Sequence, residues 1–201
     1  MRCAISGSAA RQRVPAAPVS QPVIQLVPVG DVGPDLLHAL IPVIEARFAG
    51  RLAQVAARGL ERPDEAFATE RRQYRAEPIL RRLAVLRGDA ERILGVAELD
   101  LFAADLNFIF GQARPGGPAI MSVARLRPEF WGRPPDPVRL RERAHKEAVH
   151  ELGHSYGLGH CRDAGCIMWF SNTLAETDAK SDAFCARHAT QLDRALSAIH
   201  S

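Results

Sequence analysis

The run from His150 to His160, HELGHSYGLGH, has the form H-E-x-x-H-x-x-G-x-x-H and restricts the chain more than any other feature. Residues four apart on an α-helix are separated by about 400°, so His150 and His154 leave one face with an offset of about 40° and one turn of rise. Two imidazoles so placed can grip one cation. A single helix cannot complete a tetrahedral site with them, so it must stop and the chain must return with another donor. Gly157 permits that turn, because glycine reaches positive φ without a Cβ penalty, and His160 arrives as the third ligand. Three neutral imidazoles leave a zinc ion its double charge and one open position for water, whose pKa such a site lowers to around 7. Glu151, beside His150, is then placed to take a proton from that water, as a general base does. His38, His145 and His200 fit no ligand spacing and are read as ordinary surface or core residues.

The rest of the chain bounds this reading. Its 201 residues suffice for one substantial core, and 47% hydrophobic with 24% charged residues is ordinary globular usage. No apolar run approaches the roughly 20 residues that span a bilayer, so no membrane partner is expected. The formal charge is +3, but residues 1–22 carry Arg2, Arg11 and Arg13 without an acid, which leaves 23 basic against 23 acidic residues in the body. Nucleic acid needs clustered cations and is not expected as a partner. Arg71, Arg72, Arg81, Arg82, Arg139, Arg141 and Arg143 alternate with Glu and apolar positions and are expected on solvated helix faces.

Residues 1–22, rich in Ala, Ser and Pro, read as a disordered extension. They lack the continuous apolar stretch of a secretory signal, so a cytoplasmic location is expected; the absence of acids suits a transit peptide, but no amphipathic face accompanies it. Residues 23–201 form one domain. Val23–Val29 reads as a strand. A helix starts near Pro34, carries Leu36, Leu37, Leu40, Ile41, Ile44 and Phe48, is kinked or restarted by Pro42, and ends at Gly50. A second helix spans residues 77–87 and is closed by Gly88. Extended stretches follow at 93–102, 107–112 and 119–126. Residues 128–137 form a rigid connector ending at Asp136-Pro137, an N-cap and first-turn proline for a helix to about Ser155.

Of four cysteines, Cys3 lies in the extension, while Cys161, Cys166 and Cys185 are clustered near the other donors. Such clustering points to metal before disulfides in a reducing compartment. On spacing alone, Cys161 and Cys166 could still pair as a disulfide, and His188 could simply open the last helix. Cys3 could in principle reach the metal as a switching thiol.

The order Cys161, Cys166, Met168, Cys185, His188 resembles the archaemetzincin family, whose pattern places C-x4-C-x-M directly after the third histidine and a C-x-x-C pair some 17 residues later. Here 16 residues separate Met168 from Cys185, and His188 stands where the family has its last cysteine. Similar segments are PVGDV at 28–32, Arg71 to Tyr74, FIFGQA at 108–113, ARLRPEF at 124–130, Phe170-Ser171-Asn172 and Asp178-x-Lys180.

The resemblance implies an α+β, metzincin-like fold: a mixed, twisted sheet with backing helices, the zinc-binding helix beneath it, and a small C-terminal subdomain from about residue 157 closed by a helix over 186–199. It implies His150, His154 and His160 as catalytic zinc ligands, Glu151 as base, Met168 as the floor of the site, and a second, structural zinc on Cys161, Cys166, Cys185 and His188. Two Zn2+ per chain are therefore expected, in a monomer whose substrate is a peptide or protein. Residues 107–112 are the candidate edge strand for pairing with extended substrate. The activity implied is peptide-bond hydrolysis, with aminopeptidase-like action as one form of it. The alternative is a zinc-bearing binding module with little turnover, which has no need of the base Glu151.

Overall fold

The computed structural model of the chain describes residues 21–103 and 106–199. The extension expected over residues 1–22 lies outside the described residues except for its last two, as do Cys3 and His200. Among the described residues no helix is long and apolar enough to cross a membrane.

In chain order the elements are β1 (Val23–Val29), α1 (Pro34–Arg47), β2 (Leu52–Val55), β3 (Phe67–Ala68), β4 (Gln73–Arg75), α2 (Ala76–Leu86), β5 (Arg92–Ala97), β6 (Leu101–Phe102), β7 (Gly111–Ala113), β8 (Ala119–Ser122), α3 (Pro137–Ser155), α4 (Leu174–Ala179) and α5 (Ala186–Ala198). The larger sheet has the order β2-β1-β5-β8-β7. Its strands run parallel except β7, which is antiparallel to β8. A three-stranded sheet, β3-β4-β6, stands apart from it and was not expected.

Strand alternation decides the layers, since successive side chains point to opposite faces. Ile24, Leu26, Leu94, Val96, Ala119 and Met121 join one core with residues of α1 and α3. Val27, Val29, Ile93, Ala97 and Ile120 join the other, with Ile79, Leu80 and Leu83 of α2. Helices thus cover both faces of a mixed sheet. The inner strands β5 and β8 are buried along their whole length, as cover on two faces requires.

Several expectations need correction. Pro42 does not restart α1, which is continuous from Pro34 to Arg47. Pro42 and His38 both lie on the exposed face, so the carbonyl deprived of its amide partner faces water while Leu37, Leu40 and Ile44 stay buried. The stretch 93–102 is two short strands, 119–126 ends as a 3-10 turn at Ala124–Leu126, and only Gly111 and Gln112 of the 107–112 region belong to a strand, which runs on to Ala113. Arg143 is not solvated. It is 3% exposed, holds Asp178 through Nε and Nη2 at 2.7 Å each and donates to the Leu126 carbonyl at 2.8 Å.

The helix α3 starts as its sequence dictates: the Asp136 side chain accepts from the Arg139 amide at 2.9 Å, and Pro137 takes the first position. It stops at Tyr156, whose ring stacks on Phe48 with centroids 5.2 Å apart and whose hydroxyl donates to Glu91 at 2.6 Å. Gly157 then turns the chain at φ +88°, which its lack of a Cβ allows.

Candidate metal centres

Two helical turns of α3 and the loop after it bring the three histidines together. Nδ1 of His150 donates to the Ile167 carbonyl at 2.8 Å, and Nδ1 of His154 donates to the Leu158 carbonyl at 2.7 Å. A carbonyl only accepts, so each ring carries its proton on Nδ1 and leaves a bare lone pair on Nε2. The Nε2 atom of His154 stands 3.0 Å from that of His150 and 3.1 Å from that of His160. Lone pairs facing one another at that range repel unless a cation lies among them. Four-coordinate zinc, with bonds of roughly 2.0–2.1 Å, sets its nitrogens about 3.3 Å apart, so this donor set fits that ion. Burial is the leading cause lowering the proton affinity of all three rings, which keeps them in the neutral, ligating form.

His150 is buried, His154 half-buried and His160 exposed, so the trio has an open side. It opens into a cleft of about 590 Å³ whose walls include Phe108, Phe110, Gly111, Leu158, Phe170 and Lys180. The Phe170 ring lies 4.8 Å from that of His160. Glu151 also lines this cleft, and its buried Oε2 has no hydrogen-bond partner among the described residues. Burial, then the neighbouring Glu147, pushes the Glu151 carboxyl well above the usual carboxylate range, with Lys180 opposing.

The second group is Cys161, Cys166, Cys185 and His188, whose donor atoms all lie within 4.8 Å of one another. The three cysteines are free. Sγ of Cys161 is 3.9 Å from Sγ of Cys185, and Nδ1 of His188 is 3.3 Å from Sγ of Cys185 and 3.6 Å from Sγ of Cys166. A sulfur–sulfur distance near 3.9 Å is far too long for a disulfide. It matches the separation of about 3.8 Å for two thiolates on tetrahedral zinc with bonds of about 2.3 Å. His188 opens α5 and also takes its place in the cluster: it is 1% exposed and hydrogen-bonds the Gly159 backbone. His150, His154 and His160 thus form one group and Cys161, Cys166, Cys185 and His188 another, Glu151 lines the cleft beside the first, and His38 and His145 join neither group.

The profile of peptidase family M54 matches residues 47–194. The chain belongs to that family. The archaemetzincin of Pyrococcus furiosus is 42% identical over 180 residues, covering 87% of this chain and 94% of its own. Among solved structures, the archaemetzincin of Methanopyrus kandleri superposes with a TM-score of 0.80 at 36% identity, covering 90% of this chain and 99% of its own. A zinc-dependent peptidase of Methanocorpusculum labreanum gives 0.76 at 32% identity, covering 84% and 99%.

Two features of this M54 site escaped the reading of spacing. The first is Gly153, inside the histidine motif. A Cβ there would come within 2.6 Å of Sδ of Met168, so the helix is kept bare where the methionine packs beneath it. The amide of Cys161 donates to the Met168 carbonyl at 2.8 Å and ties that segment to the end of the motif. The second is the buried pair in which Nζ of Lys180 donates to Oε1 of Glu147 at 2.8 Å. These residues are 2% and 3% exposed, and both line the cleft. Glu147 precedes Glu151 by one turn, which was a usable signal, and Lys180 stood in the Asp178-x-Lys180 segment without an assigned role.

Proposed function

We propose that His150, His154 and His160 hold the catalytic zinc ion of this M54 peptidase, with Glu151 as general base, and that Cys161, Cys166, Cys185 and His188 hold a second, structural zinc. The observation that carries this reading is the orientation of the rings: His150 and His154 spend their protons on backbone carbonyls, and Nε2 of His154 stands 3.0 and 3.1 Å from those of His150 and His160. Zinc held by these three neutral nitrogens would supply Lewis acidity toward a scissile carbonyl and toward the attacking water.

The chain's own residues do the remainder. Glu151 takes the proton of the attacking water and passes it to the leaving amine, a role suited to a buried carboxyl whose proton affinity is raised. The substrate lies extended along β7, the last strand of its sheet, whose residues line the cleft. Phe108, Phe110, Leu158 and Phe170 offer apolar walls to its side chains. The cleft draws on residues before and after Gly157, which supports a division into a part at 23–156 and a smaller C-terminal part at 157–201. Aminopeptidase-like action is the finer form of the activity that we propose.

The test is Glu151→Gln in the zinc-loaded chain, assayed on a mixed peptide library with and without chelator. Cleavage should fall about 10³-fold, with zinc content and melting temperature unchanged. An undiminished rate would remove Glu151 from the mechanism. Peptides with free and acetylated N-termini separate the two modes: cleavage confined to free termini supports aminopeptidase action, and equal cleavage overturns it.

A further inference from the structure

The general base is walled on one side by a residue that has no side chain. A Cβ built on Gly111 of β7 would stand 2.5 Å from Cγ of Glu151, 2.6 Å from its Cδ and 2.6 Å from its Oε1. No real Cβ contact is that short, so an alanine and the present carboxyl position are mutually exclusive. The backbone does not call for glycine here. Gly111 opens β7 and is absent from the positive-φ residues. The space is what needs it.

The two supports around this contact are fixed. β7 is held to β8 in the register Gly111 with Met121, and the Phe110 carbonyl accepts from the Ser122 amide at 2.7 Å. Glu151 stands on α3, packed against the sheet through Ala148, Val149 and Leu152. With strand and helix both anchored, the carboxyl is the part free to give way, toward the cleft. We propose that Gly111 is the positioning residue of the base: its bare Cα sets where the Glu151 carboxylate stands, so that one strand both faces the substrate and places the proton acceptor. The kinetic consequence rests on the peptidase reading above; the geometric one does not.

The experiment is Gly111→Ala in the full, zinc-loaded chain, followed by steady-state kinetics, zinc analysis and a crystal structure. The expected result is a kcat about 100-fold lower, as a misplacement of about 1 Å produces, with KM and zinc content unchanged and the carboxyl displaced while β7 keeps its register. Ending the side chain at Cβ provides the control: the drop in melting temperature caused by Gly111→Ala should be smaller in a Glu151→Ala background than in the parent, because alanine has no Cγ to meet the new methyl. An unmoved carboxyl, a shifted strand or an unchanged kcat each overturns the inference. Should the parent chain cleave no peptide, the peptidase reading fails, and the position of the carboxyl in the crystal still decides this one. If Gly111→Ala does not fold, folding of Gly111→Ala/Glu151→Ala supports the clash, and failure of both overturns it.

Discussion

His160 and Cys161 are neighbours in the chain, yet they belong to donor groups built to opposite plans. The histidine group has three neutral donors, graded from buried His150 to exposed His160, and opens on a cleft. The other group has four donors, three of them sulfur and three of them buried, and none lines that cleft. Three neutral donors with an open side leave an ion its charge and a place for water; four donors with thiolates close the shell and neutralise the ion. The difference lies in donor number and access, since one stretch of backbone serves both.

Removing one donor from each group tests the contrast most severely. Cys166→Ser should release the second zinc, lower the melting temperature by about 10 °C or more and abolish cleavage with it, because metal binding there contributes directly to folding. His154→Ala should also abolish cleavage, but with a distinctly smaller shift in melting temperature, since α3 is held by its own cap and by the sheet. Equal thermal losses in a calorimeter would erase the distinction between a catalytic and a structural site.

The next effect sharpens the picture of the cleft side. Lys180→Met leaves Glu147 buried without its partner and should cost about 3–5 kcal/mol in denaturant unfolding. Lys180→Met/Glu147→Leu should recover most of that loss, as apolar replacement of a whole buried pair generally does. No recovery would mean that the pair does more than satisfy itself.

The smallest effect concerns the helix edge away from the metals. Arg143 hydrogen-bonds Asp178 and holds its carboxyl below the ordinary value of 3.8, against the opposing effect of burial. A depressed carboxyl stabilises the fold fully above the unfolded value and loses that contribution as pH falls through and below about 3.8. Asp178→Asn should therefore flatten the acid limb of the stability curve in that window and leave its shape near neutrality unchanged. A parent and variant with parallel acid limbs would overturn the assignment.

How far the chain could be read in advance depended on the range of each interaction. The α3 boundaries followed from Asp136, Pro137 and Gly157, all local capping chemistry. The two donor groups followed from fixed spacing, because helical periodicity and a short loop place such residues with little help from elsewhere. β3, of two residues, and β4, of three, gave no periodic signal to find, and β6 was read as the end of one longer strand. Arg143 looked like a surface charge because its partner lies 35 residues away on α4. Pro42 looked like a break because nothing local shows which face of its helix meets water.

By itself, then, the sequence determined the metal-binding pattern, the helix that presents it and the family to which the chain belongs, since each depends on residue types at short, fixed separations. Only the tertiary structure decided that Gly111 stands against the base and that Lys180 neutralises Glu147 under the cleft. Those facts arise where segments 33 to 40 residues apart pack together, and no local pattern encodes which distant surface will fill a given space.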